Sequence, residues 1–259
     1  MARALGPTSQ LHAVLVGATG AIGQHVFRTV LQDPRYARVT TIGRRVVDVH
    51  ASELPADADV SKLEQVVVDM DNLAADDVWD AKVGATTRDG GMRAVCFCTL
   101  GTTRGRAGGS AQGFRKVDFE YVRAAAIGAK LGGVSHFLLV TAQGAAKVWY
   151  SEARVFHALL YTRTKWDAQQ ATIAQGFSRT SIFQPGLLNR DAPGADHRML
   201  ESLAVRLMPS LHVRTVALAM VHDAATDAGA GAQAAAGSPV ISYFGNNDMT
   251  RMAEQNSNL

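Results

Sequence analysis

The sequence predicts an α/β protein built on a doubly wound parallel β-sheet with a small C-terminal extension. Short apolar and β-branched runs alternate with stretches of helical spacing, a pattern typical of a parallel sheet covered by helices on both faces. The chain has 259 residues, of which 47% are hydrophobic and 19% charged, as in ordinary globular proteins. We therefore expect one domain over 1–259, with a core at about 11–188 and a cap at about 189–259.

Six strands and three long helices form the predicted core. We expect the strands at residues 12–16, 39–42, 64–68, 93–98, 136–140 and 180–183, and the helices at 22–32, 114–131 and 157–175. Pro34 follows the first helix, which a proline cannot continue. In the cap we expect helices at 199–207 and 213–226, a loop rich in alanine and glycine at 228–237, a strand at 240–243 and a frayed tail.

Composition excludes several classes of function. The net charge is +3, with no basic cluster of the kind that binds nucleic acid. Cys96 and Cys98 lie in a buried strand, where neither a disulfide nor a metal site is expected.

No apolar run approaches the roughly 20 residues of a membrane span. The first strand begins so early that we expect no cleaved targeting peptide, and we predict a cytoplasmic location.

A glycine-rich turn separates the first strand from the first helix. It reads Gly17-Ala-Thr-Gly20-Ala-Ile-Gly23. Glycines let the backbone approach a pyrophosphate, and the helix N-terminus offers free N–H groups. A purely structural turn is the alternative. The strand–turn–helix context favours a Rossmann-type dinucleotide site, with predicted contacts from Gly17, Thr19, Gly20, Ala21, Ile22 and Gly23.

Two arginines follow the second strand, at the position where NAD-preferring domains carry an acid that accepts hydrogen bonds from the ribose. They are Arg44 and Arg45, and the first acid after them is Asp48. A guanidinium suits a 2′-phosphate, so NADP is the predicted cofactor, although a solvated loop would also explain the pair. Asp69 follows the third strand, where it would either accept the adenine amino group or cap a turn.

Tyr161 and Lys165 lie four residues apart in a predicted helix, and this spacing puts both side chains on one face. A tyrosine has a pKa near 10, and a nearby ammonium favours its phenolate form. The pair could then exchange a proton with a carbonyl or an alcohol while the lysine holds the ribose. A chance coincidence of two residues is the alternative.

With these motifs placed, the chain resembles the atypical short-chain dehydrogenases related to the Tat-interacting oxidoreductase-like protein. The most specific similarity is Cys98-Thr-Leu-Gly101-Thr-Thr-Arg-Gly-Arg-Ala-Gly108. Further similarities are Ile42-Gly-Arg-Arg45, Val117-Asp118, Tyr121-Val122, His136-Phe137, Gly144-Ala145 and Pro185-Gly186-Leu-Leu188. The resemblance implies a Rossmann core that binds NADP(H), with additional contacts from Leu100, Gly101, Thr102, Tyr161, Lys165, Pro185, Gly186 and Leu188.

Three departures from this family bear on catalysis. Thr141-Ala142 replaces a Ser-Ser pair after the fifth strand, residues 147–156 include an insertion, and Gln184 replaces an arginine. We expect an NADP(H)-dependent oxidoreductase acting on a small carbonyl or alcohol, with Tyr161 as acid/base, Lys165 as its activator and Thr141 as an orienting hydroxyl. The alternative is a non-catalytic NADP(H)-holding module that binds a protein partner. Fold-level analogy adds a homodimer through the helix of Tyr121 or that of Tyr161.

Overall fold

The computed structural model describes residues 10–50, 54–75, 77–88, 91–103, 105–148, 158–189, 210–226 and 238–256. Seven parallel strands form the main sheet: β1 (Leu11–Val16), β2 (Tyr36–Gly43), β3 (Leu63–Val67), β4 (Arg93–Cys98), β5 (His136–Val140), β6 (Arg179–Phe183) and β9 (Val240–Phe244). Their order is β3-β2-β1-β4-β5-β6-β9. Two short strands, β7 (Leu187–Asn189) and β8 (Ser210–His212), pair with each other. The predicted fold class is confirmed.

Helices cover both faces of this sheet. They are α1 (Ala21–Gln32), α2 (Ala85–Arg88), α3 (Ala111–Arg115), α4 (Tyr121–Leu131), α5 (Ala158–Ile173), α6 (Val213–Ala225) and α7 (Asn246–Asn256). Short 3₁₀ turns lie at Val60–Lys62 and Leu73–Ala75, and π-helical turns at Trp79–Gly84 and Lys116–Glu120. The second π-helical turn joins α3 to α4, so the helix predicted at 114–131 is one helical run with a π turn inside it.

The central strands are buried on both sides, which explains their continuous apolar sequence. In β1, Leu15 packs into a core under α1 and α6, while its neighbour Val16 packs into a second core under α4. Cys96 and Cys98 belong to the second core as buried free thiols, as predicted. Burial raises the pKa of Cys98 to about 12, so the thiol is uncharged at neutral pH.

The C-terminal section completes the sheet, which corrects the predicted cap. The strand β9 pairs with β6, and buried residues of α6 and α7 belong to the same core as β1. The core therefore does not end at residue 188. The predicted frayed tail is also wrong, because α7 follows β9 and buries Met249. The helix expected at 199–207 and the loop at 228–237 lie outside the described residues.

A buried polar network fastens α6 to the amino ends of β5 and β6. Arg179 forms an ion pair with Asp223, and both side chains are buried. Nε2 of His136 lies 2.8 Å from the Ser181 hydroxyl and 3.4 Å from Oδ2 of Asp223. Burial lowers the pKa of His136 despite the nearby carboxylate. The network therefore joins a neutral histidine to a charged pair.

Candidate functional site

A cleft opens at the carboxyl ends of β1 and β4, where the strand order reverses. Ligands of open α/β sheets bind at such a switch point. The backbone N–H of Thr99 donates to the Val16 carbonyl over 2.9 Å and joins the two strand ends. The residues that line the cleft come from the carboxyl ends of β1 to β4 and from the helical run that contains the π-helical turn and α4: Gly17, Ala18, Thr19, Thr41, Ile42, Gly43, Arg44, Arg45, Met70, Leu100, Val117 and Tyr121.

The predicted glycine turn forms the floor of this cleft. Gly17 has φ of +97°, and a Cβ there would come within 2.9 Å of the Thr99 carbonyl carbon. Gly20 begins α1 without any side-chain cap, so the first helical N–H groups are not covered by a capping oxygen. A pyrophosphate needs close backbone approach and free N–H groups. The turn therefore fits the predicted cofactor.

Arg44 and Arg45 follow β2 and line the cleft with exposed side chains. Among the described residues, no carboxylate pairs with either guanidinium. Both cations are thus available to an anionic group of a ligand, as the sequence predicts. Asp69, by contrast, is exposed and caps its own turn, since its carboxylate accepts from the Asp71 backbone N–H at 3.0 Å and from Asn72 at 2.9 Å. These contacts agree with the alternative interpretation, in which Asp69 caps a turn.

Met70, Val117 and Tyr121 also line the cleft, and the sequence did not predict them as site residues. The Tyr121 hydroxyl donates to Asp71 over 2.9 Å, and Lys116 forms an ion pair with the same carboxylate at 2.8 Å. These contacts fix the start of α4 beside the turn after β3. The only signal in the sequence was that Val117 and Tyr121 belong to the segments that carry the family resemblance.

Tyr161 and Lys165 lie on one face of α5, as predicted. The Lys165 ammonium is 5.9 Å from the centre of the Tyr161 ring, which packs against Phe114 at a centroid distance of 5.6 Å. Lys165 is buried. Its burial disfavours the charged form, but Asp118 and Tyr161 outweigh this and raise the pKa of the ammonium. Lys165 therefore stays protonated at neutral pH.

Asp118 is the partner of Lys165 and was not predicted as a site residue. Its Oδ1 lies 2.7 Å from the Lys165 Nζ atom, and its Oδ2 accepts from the Thr102 backbone N–H over 2.8 Å. The predicted Leu100, Gly101 and Thr102 turn is thus fixed next to Lys165. A Cβ on Gly101 would lie 3.7 Å from the ammonium.

The Thr141 hydroxyl has two partners within the protein. It accepts from Gln169 over 2.8 Å and donates its hydrogen to the Phe183 carbonyl at 3.4 Å. Gln169 lies two helical turns beyond Tyr161, a rise of about 12 Å. The orienting role of Thr141 remains a prediction. The insertion predicted at 147–156 lies outside the described residues from 149 onwards.

The predicted backbone contacts after β6 are partly occupied by the protein itself. The Pro185 carbonyl accepts from the Gln143 N–H, and the Gly186 N–H donates to the Asn246 side chain, each over 2.9 Å. Leu188 lies in β7 and pairs with Leu211 of β8. This segment therefore connects β5, β6 and α7, and it borders the site at the same edge of the sheet.

Within the described ranges, no helix is both long and apolar enough to cross a membrane. The same ranges contain no cluster of histidine, cysteine or acidic residues that could bind a metal ion.

Comparison with known sequences identifies several relatives. A family described as NAD(P)H-binding matches residues 17–227. The rat (Rattus norvegicus) protein HTATIP2 is 33% identical over 174 residues, which cover 67% of this chain and 61% of the rat protein. The chain thus spans less than two thirds of that relative. Protein FMP52-1, mitochondrial, of Scheffersomyces stipitis is 27% identical over 78% of this chain and 77% of its own length.

Solved structures share the fold at low sequence identity. A short-chain type dehydrogenase/reductase from Mycobacterium ulcerans superposes with a TM-score of 0.59 at 17% identity, covering 93% of this chain and 90% of the other. A UDP-glucuronic acid 4-epimerase from Bacillus cereus in complex with NAD gives 0.58 at 10% identity, covering 94% and 90%. These similarities establish the fold.

The expected cytoplasmic location is wrong in light of the fungal relatives. Their names describe them as mitochondrial, among them FMP52-1 of Scheffersomyces stipitis and fmp52 of Aspergillus clavatus, which is 30% identical over 69% of this chain and 67% of its own length. The expectation relied on the absence of a recognisable targeting segment before the first strand, and residues 1–9 lie outside the described part of the chain.

Proposed function

The chain belongs to the NAD(P)H-binding family, and on that premise we propose that it is an NADP(H)-dependent oxidoreductase acting on a small carbonyl or alcohol. Membership of the family implies a nicotinamide cofactor, and the fold is shared with a short-chain type dehydrogenase/reductase. The preference for NADP, the catalytic residues and the class of substrate are the parts of this proposal that go beyond the family.

The preference for NADP is supported by Arg44 and Arg45. An acid after the second strand would accept hydrogen bonds from the ribose hydroxyls, and it would repel a 2′-phosphate. Here two exposed guanidinium groups line the cleft at that place. Each can form charge-assisted and bidentate hydrogen bonds to phosphate oxygens. Gly17 and Gly20 would hold the pyrophosphate at the first turn of α1.

The proton transfer is assigned to Tyr161. When bound, the nicotinamide donates a hydride to a carbonyl carbon or accepts one from an alcohol. In the reductive direction the carbonyl oxygen must gain one proton, which the Tyr161 hydroxyl would supply. Lys165 keeps its positive charge beside the Tyr161 ring, so it stabilises the phenolate that this transfer leaves. Water would return the proton to the phenolate.

The observation that carries this proposal is the Tyr161 and Lys165 pair on α5. A Tyr161→Phe variant removes the proton-transferring oxygen and keeps the ring that packs on Phe114. We expect it to bind NADPH with nearly unchanged affinity and to lose turnover with a panel of small aldehydes and ketones. Tyr243→Phe, on the exposed face of β9, is the matched control and should retain turnover. Equal turnover in wild type and Tyr161→Phe would refute the assignment.

One observation favours a second function, a non-catalytic module that holds NADP(H) and binds a protein. The Thr141 hydroxyl donates its hydrogen to the Phe183 carbonyl, so in the described part of the chain this hydroxyl is engaged within the protein. If the protein is an enzyme in which another group donates the orienting hydrogen bond to the substrate, Thr141→Ala should lower turnover only modestly. If NADPH raises the melting temperature while no carbonyl in the panel is reduced by the wild type, the second function is favoured.

For the location, we propose a mitochondrial association, since the fungal relatives carry that description in their names. Antibody detection of the untagged protein in fractions of its own cells tests this. Co-purification with a mitochondrial marker would support the proposal, and its recovery with cytosolic markers alone would contradict it.

A further inference from the structure

We propose that Asp118 is a positioning residue that holds the Lys165 ammonium and the Leu100 to Thr102 turn together as one unit of the cofactor site. The inference rests on the proposed function, because it assigns Lys165 to the cofactor. It goes further in adding a third charged residue, from a different helix, to the Tyr161 and Lys165 pair.

The geometry of the Asp118 carboxylate carries the proposal. One oxygen lies 2.7 Å from the Lys165 ammonium, and the other accepts from the Thr102 backbone N–H over 2.8 Å. Asp118 is 1% exposed and Lys165 7%. Within the described part of the chain, Oδ1 has no hydrogen bond of regular geometry, and the ion pair with Lys165 is the charge contact that compensates its burial. The ammonium is thus the partner on which this buried oxygen depends.

Local structure explains how Asp118 reaches the site. It lies in the π-helical turn Lys116–Glu120, between α3 and α4. Turns of this kind inside α-helices occur frequently at functional sites, because the wider turn redirects the side chains. Val117 lines the cleft while Asp118 is buried next to it. One turn therefore supplies both a wall of the cleft and the anchor of Lys165.

The charges around Lys165 predict a measurable effect of removing Asp118 on the pKa of the Lys165 ammonium. The groups that face the ammonium are Asp118 from the π-helical turn, Tyr161 from α5 and Cys98 from β4. Burial disfavours the charged ammonium, and Asp118 offsets that penalty. Without this carboxylate, the ammonium would be buried and unpaired, and its pKa would fall. Lys165 would then lose its proton as the pH rises.

The test measures NADPH affinity by fluorescence titration from about pH 7 to about pH 9, a range chosen because buried lysines can titrate within it. Wild type should change by less than about twofold across it, since its ammonium stays charged. Asp118→Asn should lose roughly tenfold as the pH rises, because the unpaired lysine deprotonates. The double variant Asp118→Asn/Lys165→Arg should be insensitive to pH, since arginine keeps its charge. If Asp118 only stabilised the local fold, Asp118→Asn would lose the same factor in NADPH affinity at every pH.

Asp118→Glu covers the case in which Asp118→Asn does not fold. It keeps the negative charge beside Lys165 but displaces the ammonium and the turn, so its NADPH affinity should be lower than that of wild type and independent of pH. An affinity of Asp118→Glu or Asp118→Asn that matches wild type in size and in pH dependence would overturn the proposal. Failure of wild type to bind NADPH would instead overturn the proposed function. Because the readout is binding, the test holds whether or not a substrate is found.

Discussion

The carbonyl oxygen of Gly17 lies so close to Gly23 that a Cβ on Gly23 would overlap it. Gly23 is thus the point where α1 packs most tightly against the end of β1. The middle glycine of the motif differs, because a Cβ on Gly20 would lie 3.2 Å from the same oxygen. Gly20 also has an extended backbone, with φ of −80° and ψ of 166°, which any residue can adopt. Two glycines of one motif therefore serve different purposes.

This difference predicts opposite effects of two substitutions. Gly23→Ala should destabilise the fold by about 1–3 kcal/mol, the usual cost of overpacking. Gly20→Val should leave the protein folded but abolish cofactor binding, since its side chain would enter the path of the pyrophosphate. Urea denaturation and NADPH titration of both variants test this. An unchanged NADPH affinity in Gly20→Val would mean that the turn is merely structural.

Arg44 provides the test of cofactor preference. Wild type should bind NADPH more tightly than NADH, and Arg44→Ala should weaken NADPH selectively, by about 1.5–3 kcal/mol for a lost hydrogen bond between charged groups. Arg251→Ala, an exposed arginine on α7, is a control that should leave both affinities unchanged. Equal affinities of wild type for the two cofactors would contradict the assignment of the arginines.

Much of the fold could be predicted because buried parallel strands have a recognisable sequence. The predicted bounds of β4 and β5 agree with the structure, since both strands lie in the middle of the sheet. The helix α7 was missed because its sequence is mostly polar, and only Met249 and Ala253 are buried. Its apolar face is narrow, since Met249, Met252 and Ala253 are the residues at helical spacing that contact the core.

The candidate site could be predicted only where adjacent residues carry its chemistry. The glycine turn and the spacing of Tyr161 and Lys165 are local patterns. Asp118 was missed because its role depends on Lys165, far along the chain, and on a π-helical turn that sequence periodicity does not reveal. The contacts of Thr141 could not be predicted from sequence, because they depend on β6: its backbone N–H donates to the Phe183 carbonyl over 2.8 Å.

The ion pair of Arg179 and Asp223 predicts a strong dependence of stability on the C-terminal section. Asp223→Ala would leave the Arg179 guanidinium buried and unpaired, so the free energy of unfolding should fall by about 3–5 kcal/mol. Asp80→Asn breaks an exposed pair with Arg88 and is the control, with an expected loss of at most about 1 kcal/mol. Equal losses in the two variants, measured by urea denaturation, would show that burial of the pair has no energetic consequence.

His12 is a buried histidine that the structure keeps neutral. Its Nδ1 atom lies 2.7 Å from the Thr86 hydroxyl, and its Nε2 atom 2.8 Å from the Thr40 hydroxyl. Thr86 donates its own hydrogen to the Val83 carbonyl, so it must accept from Nδ1, and Nε2 must then accept from Thr40. A second ring proton, on Nε2, would require the Thr40 hydroxyl to accept instead of donating. Burial, together with Arg38, lowers the pKa of His12 to about 4.

We therefore predict that His12 makes the protein less stable in mild acid. Because the folded pKa lies below the unfolded value of 6.5, the unfolded chain binds more protons between these limits. The contribution of His12 is complete above about pH 6.5 and is lost as the pH falls towards 4, amounting to about 3 kcal/mol. His12→Asn keeps a donor and an acceptor but cannot titrate, so its free energy of unfolding should depend less on pH than that of wild type.

Burial also lowers the pKa values of His136 and His222, so part of the dependence of the unfolding free energy on pH should remain in the variant. Identical slopes in wild type and His12→Asn, from urea denaturation at several pH values, would show that His12 is not the residue responsible.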